Sequence, residues 1–107
     1  MFGEVLEYVV KLSGKTFEEQ FVMYSESQKA LLIAIAKEGR ASSMTSVAFV
    51  RRHALKSPST VQSAARALYD NEVITREGDE YRITNRLFSF WLAGRYGNGI
   101  QTGIFKR

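Results

Sequence analysis

Ser59, Thr60, Gln62, Ser63 and Arg66 set hydroxyl, amide and guanidinium groups within eight consecutive positions. In a helix from Pro58 to Asp70 all five would point away from the apolar side formed by Val61, Ala64, Ala65 and Leu68. Hydroxyl and amide groups of this kind bond phosphates or base edges, and a guanidinium reaches guanine or phosphate. Lys56, Arg51 and Arg52 flank the stretch, and Arg76 and Arg82 follow it in β-forming sequence. The pattern is a plausible footprint on nucleic acid. Against a strong footprint, Arg66 and Asp70 cancel within the same predicted helix, whereas dedicated DNA binders concentrate positive charge because counterion release drives their affinity. Arg51 and Arg52 also fit an ordinary exposed helix face. Contact with duplex DNA and docking on protein, including the rest of a longer chain, are both open readings.

Other reactive residue types point to no chemistry. His53 is the single histidine, there is no cysteine, and no carboxylate stands at metal-ligand spacing from it. It is expected to be a surface or helix-end residue. Ser57, Ser59 and Ser63 have no base and orienting acid beside them, so they are expected as capping and solvent-facing residues. Glu77, Asp79 and Glu80 suit a solvated turn, and they put negative charge at its tip. Phe88, Phe90 and Trp91 suit a core or a docking surface better than a stacking platform. No Gly-rich phosphate loop ending in Gly-Lys-Ser/Thr occurs, so ATP has no recognisable seat. No metal, cofactor or catalytic residue is expected in this segment.

The elements that would position these residues follow from periodicity. Phe2, Val5, Leu6, Val9 and Val10 predict an amphipathic helix over about 2–13, stopped by Ser13-Gly14. Thr16 is expected to cap a second, short helix, with Glu18 and Glu19 in its first turn and Phe17, Phe21, Val22 and Tyr24 on its apolar side. Ser25 and Gln28 form a capping-box pattern ahead of Ala30, Leu31, Leu32, Ile35 and Ala36, whose broad apolar arc predicts a central helix ending at Gly39. A polar connector to Met44 is expected next. Then comes a helix capped by Thr45 or Ser46, running to about His53 or Ala54 with Val47, Phe49 and Val50 on its inner side and Ala54 a further candidate for it. Ser57-Pro58 opens the following helix. Val73–Arg76 and Tyr81–Thr84 predict a hairpin around Glu77-Gly78-Asp79-Glu80, and Asn85 caps a last helix carrying Leu87, Phe88, Trp91 and Leu92.

Helix, helix-turn-helix and hairpin in this order give a mainly α fold with a small β-hairpin: a winged helix-turn-helix with two extra N-terminal helices. The expected divisions are a helical extension over 1–24, a winged-helix domain over 25–93, and a glycine-containing basic tail over 94–107. The Phe2, Val5, Leu6 and Val9 stripe could support self-association through this helix, or the tail could do so.

The 107 residues suit one domain, and 45% hydrophobic with 24% charged residues is a globular balance. Net charge is +4, unevenly spread: four basic and six acidic residues precede Gly39, against eleven and five from there on. The basic half is the one suited to a polyanion. The longest apolar run, Ala30 to Ala36, is too short to cross a bilayer. No signal-peptide pattern opens the chain, and the lack of cysteine fits a cytoplasmic setting. No membrane partner is expected.

Three groups of residues carry a family resemblance: Ser25-x-x-Gln28-x-x-Leu31-Leu32-x-Ala34-Ile35-Ala36; Ser57-x-Ser59-Thr60-Val61 with Ala67-Leu68; and Tyr81-x-Ile83-x-Asn85-x-Leu87-Phe88-x-x-Trp91-Leu92. Together they resemble the C-terminal winged-helix region of prokaryotic P-loop ATPases of the archaeal-type AAA-like group. In that family the last helix usually opens Asp-Pro-Leu-Phe, where this sequence has Asn85-Arg86-Leu87-Phe88. Asn keeps the capping oxygen, while Arg86 replaces a rigid ring with a cation. The resemblance implies that the segment belongs to a larger ATPase, with the first two helices continuing from its lid region. ATP and magnesium would then bind upstream, and the ATPase core of the same chain would be a partner.

Overall fold

A helix starts where its first amides find an acceptor, and four serine or asparagine side chains provide one here. The computed structural model describes residues 15–96, so the helix expected over 2–13 and most of the basic tail lie outside the described residues. The first element described is a helix over 15–21 (α1). There follow α2 (Glu26–Glu38), β1 (Ala41–Ser42), α3 (Val47–Arg52), α4 (Pro58–Asp70), β2 (Ile74–Glu77), β3 (Glu80–Ile83) and α5 (Arg86–Tyr96).

The capping box at α2 is complete: the Gln28 amide donates to Ser25 Oγ at 3.2 Å, and the Ser25 amide donates to Gln28 Oε1 at 3.0 Å. Ser46, rather than Thr45, caps α3 by accepting from the Phe49 amide at 3.1 Å. Ser57 caps α4 through the Thr60 amide at 3.2 Å, with Pro58 at the first helical position. Asn85 Oδ1 accepts from the Leu87 and Phe88 amides at 3.0 and 3.1 Å, opening α5. Gly39 ends α2 at φ 78°, a left-handed conformation that favours glycine.

Two helix ends use the same left-handed device without glycine. Past α3, Ala54 has φ 54°, and the Ala54 and Leu55 amides return to the Arg51 and Val50 carbonyls at 3.2 and 2.8 Å. Past α4, Glu72 has φ 62°, and the Glu72 and Val73 amides return to Tyr69 and Leu68 at 3.0 and 2.8 Å. Both are Schellman closures, in which the residue after the left-handed one turns its side chain back toward the helix. Leu55 and Val73 accordingly pack against the core. This corrects the inward placement of Ala54, which is exposed, with Leu55 packing in its stead.

The core gathers around α2, whose Leu32 and Ile35 are fully enclosed. Val61, Ala64, Ala65 and Leu68 of α4 lie against it, as their spacing predicts, and Phe88, Trp91 and Leu92 of α5 close it from the other side. Val47 of α3 is exposed, although it was expected inside; it occupies the first helical position, and Phe49 and Val50 supply the buried face. Val22 is exposed too, because the chain leaves α1 at Phe21 and turns, and Tyr24 packs on the core from beyond that turn.

Thr16 does not cap α1, since Lys15 is already helical. What holds α1 is aromatic packing. Phe17 lies 5.4 Å from Phe88 and 6.0 Å from Trp91 between ring centroids, while Phe21 lies 6.3 Å from Trp91 and 5.3 Å from Tyr96. The expected boundary at residue 24 therefore falls between two helices of one core. At the other end α5 runs on to Tyr96, past the expected boundary at residue 93.

The expected polar connector after Gly39 is in part a strand. Ala41 and Ser42 pair antiparallel with Tyr81 and Glu80, so the hairpin gains a third strand in the order β1-β3-β2. A short edge strand whose Ala41 is buried carries almost no sequence signal. In the hairpin Ile74 pairs with Ile83, Thr75 with Arg82, Arg76 with Tyr81 and Glu77 with Glu80. Gly78, at φ 65°, takes the first of the two turn positions, where a two-residue hairpin needs a left-handed residue. The result is mainly helical with a small three-stranded antiparallel sheet, and α2, α3, α4 and the β2–β3 wing have the winged helix-turn-helix order.

Candidate nucleic-acid interface

An amphipathic helix buried on one side must show its other side to solvent, and α4 does so over its first two turns. Ser59, Gln62, Ser63 and Arg66 are exposed opposite the buried Val61, Ala64, Ala65 and Leu68. No acidic residue occupies the first turn, so beyond the Ser57 cap no negative side chain offsets the positive end of the helix dipole. Thr60 departs from the expected set. It is half-buried, and its hydroxyl lies 2.9 Å from Ser57 Oγ, within the cap network that also holds Ser59 Oγ at 3.2 Å.

Gln62, Arg66 and Tyr69 follow one another at helical spacing along a groove of about 500 Å³ between α4 and the wing. Arg76, Asp79 and Tyr81 form the wing side of this groove. The Tyr69 and Tyr81 rings meet edge to face at 6.5 Å. The Arg76 guanidinium lies 5.8 Å from the Tyr81 ring, and its Nε donates to the Gly78 carbonyl at 2.7 Å. Arg76 is thus held by its own turn in the groove that Arg66 also lines. Asp70 and Asp79 share the groove, so its cations and anions balance.

The remaining cations are dispersed. Arg51 and Lys56 are exposed, and Lys56 lines a small apolar cleft with Ala30, Leu55 and Val61 rather than the groove. Arg52 is engaged: its guanidinium donates to Glu38 Oε2 at 2.7 Å and lies 6.0 Å from the Phe49 ring. Arg82 is half-buried and, by strand alternation, lies on the sheet face opposite Arg76 and Tyr81. There it borders a different cavity. The fold therefore brings Arg66 and Arg76 to one groove and scatters the other expected cations.

The pairing partners were missing from the sequence reading. Glu38 ends α2 and meets both Arg52 and His53, whose Nε2 lies 2.6 Å from the Glu38 carboxylate. Its carboxyl is held below the ordinary 4.5 chiefly by the His53 hydrogen bond, aided by Arg52 and opposed by partial burial. An ionised carboxylate only accepts, so the His53 Nε2–H donates here. The His53 side chain is 8% exposed and packs on Phe49 at 4.6 Å. It is a joint between α2 and α3, more deeply set than a surface residue. Tyr69 was legible in principle, standing seven residues after Gln62 on the same helical stripe.

Residues 15–94 match the family described as a probable winged helix domain. The chain belongs to that family. Its match covers α1 as well as the helix-turn-helix and the wing, in keeping with the aromatic packing that ties α1 to α5. No curated protein and no solved structure matches the chain. Among the described residues of this winged-helix domain, no helix is long and apolar enough to cross a membrane.

Proposed function

We propose that this winged-helix domain binds duplex DNA by presenting the exposed side of α4 to the major groove, with Arg76 of the wing reaching the adjacent backbone. The observation that carries this reading is the junction of Arg66 and Arg76 across one groove, next to the polar first turns of α4. Gln62 and Ser63 would then face base edges, and the α4 N-terminus a phosphate. The test is fluorescence anisotropy with labelled duplex DNA at low salt. Binding that weakens on Arg66→Ala supports the proposal, and no binding removes it.

The domain is proposed to serve as a part of a larger cytoplasmic P-loop ATPase, carrying no catalysis or cofactor of its own. The three groups of residues that resemble such ATPases support this. A phosphate-binding loop encoded upstream of Met1 in the same reading frame is the expected finding, and a stop codon directly upstream refutes it.

A second reading is docking on the ATPase core, on another protein, or on a second copy. The acidic wing tip and the charge balance of the groove favour it over tight DNA binding. So do Val22 and Met23, which are 59% and 82% exposed at the turn after α1. Concentration-dependent light scattering discriminates it: self-association supports a second copy, and a monomer throughout excludes that partner.

A further inference from the structure

The reverse face of the sheet holds a concavity richer in arginine than the α4 groove. A cavity of about 340 Å³ lies where the end of α2, the β2–β3 hairpin and the first turns of α5 meet. Its lining includes Arg40, Arg82, Arg86, Ser89, Phe90 and Glu77, three cations against one anion. Arg40 lies 3.6 Å from both Glu77 and Glu80 and all three are well exposed, so Arg40 is shared between two carboxylates and Arg82 and Arg86 are the cations left to the cavity. Among the described residues neither Arg82 nor Arg86 forms an ion pair. Phe90 is a large apolar ring left 44% exposed in the same wall.

Each feature is ordinary alone. Together, two unengaged guanidiniums, a hydroxyl and an exposed ring around one concavity match the chemistry of a nucleotide. Arginines hold its phosphate, and an aromatic ring offers a face to its base. The volume lies within the range of small-ligand sites. An acidic peptide would use the arginines but has no need of the ring. We propose that this cavity binds a nucleotide unit, phosphate on Arg82 and Arg86 and base against Phe90. The unit is supplied either by single-stranded nucleic acid or by a free nucleotide.

The site is independent of the α4 groove, because strand alternation sets Arg82 and Arg76 on opposite faces. The test uses the full 107-residue chain and labelled oligothymidylate in anisotropy titrations over a salt series. Unlabelled ATP without magnesium and a glutamate-rich peptide serve as competitors. Phe90→Ala is expected to weaken binding about tenfold. Arg82→Gln and Arg86→Gln are each expected to reduce the salt slope by about 0.7. Arg66→Ala is expected to change neither, whatever its effect on duplex binding. Competition by ATP assigns the site to free nucleotides, and its failure to compete assigns the site to a strand. The proposal is overturned by absence of binding at low salt, or by loss on Arg66→Ala with Arg82→Gln silent. Equal competition by the peptide with Phe90→Ala silent overturns it in favour of an acidic protein segment. Thermal melts of the variants that match the unchanged chain separate lost contact from lost fold.

Discussion

Salt dependence turns the proposed duplex interface into a number. Arg51, Lys56, Arg66 and Arg76 are exposed and make no ion pair among the described residues. Arg52 is spent on Glu38, and Arg82 lies on the other side of the sheet. At most about four phosphates can then be neutralised, so the slope of log affinity against log salt should be no steeper than about −3.6. Affinity should fall by at most about 150-fold between about 50 and 200 mM salt. Arg66→Ala removes one contact; its slope should be shallower by about 0.9 and its loss over the same range about 3.5-fold smaller. The variant should fold unchanged, because Arg66 is exposed and arginine and alanine are both good helix formers. Anisotropy with one duplex at several salt concentrations measures both chains. If Arg66→Ala leaves both affinity and slope as they were, the assignment of the α4 face to DNA is refuted.

The elements that hold this interface make further predictions. Leu68→Ala, at a site 1% exposed between α4 and its neighbours, should cost about 2–5 kcal/mol in urea unfolding, a large share of a small domain's stability. Ser25→Ala should cost about 1 kcal/mol by opening the capping box, and Ser25→Thr should cost much less; equal losses would show that the cap is not the cause. Glu72→Gly should raise stability by up to about 1 kcal/mol, since its φ of 62° strains any side chain; a fall would place Glu72 in a contact that matters more than its backbone. The pKa of Glu38 is depressed in the fold, so its contribution is complete above about 4.5 and is lost as pH falls through the lower folded value. Glu38→Gln should therefore flatten the acid limb of a stability–pH profile, and an unchanged limb would remove Glu38 as its source.

The helical frame from α2 onward was legible because its starts are written locally. Ser25 with Gln28, Ser57 with Pro58, and Asn85 all name their helices through side chains a few residues away. The inner face of α4 was legible for the same reason, as a helical period over thirteen residues. Misplaced residues answer to distant partners. β1 is two residues long and exists because β3 offers it an edge. Thr16 looks like a cap, but α1 is positioned by Phe17 and Phe21 against an aromatic cluster some seventy residues on. Ala54 and Glu72 take left-handed conformations usually marked by glycine, so their helix ends are unmarked in the sequence. The candidate site divides in the same way. Arg66 follows from the helix it sits on, whereas its neighbour Arg76, its opposing Asp79 and the capture of Arg52 by Glu38 all need the fold.

That division bears on how tightly any partner can be held. A strand sends successive side chains to opposite faces, so Tyr81 and Arg82 belong to different surfaces however basic the segment is as a whole. The positive charge of the second half is accordingly split between the α4 groove, where Asp70 and Asp79 offset Arg66 and Arg76, and the reverse cavity around Arg82 and Arg86. A polyanion meeting either face gains only that face's cations, and counterion release scales with those alone. Net charge therefore overstates the affinity of this domain for a single nucleic-acid surface. If the proposed tether to a larger protein holds, it would supply effective concentration in place of the contacts that either face lacks.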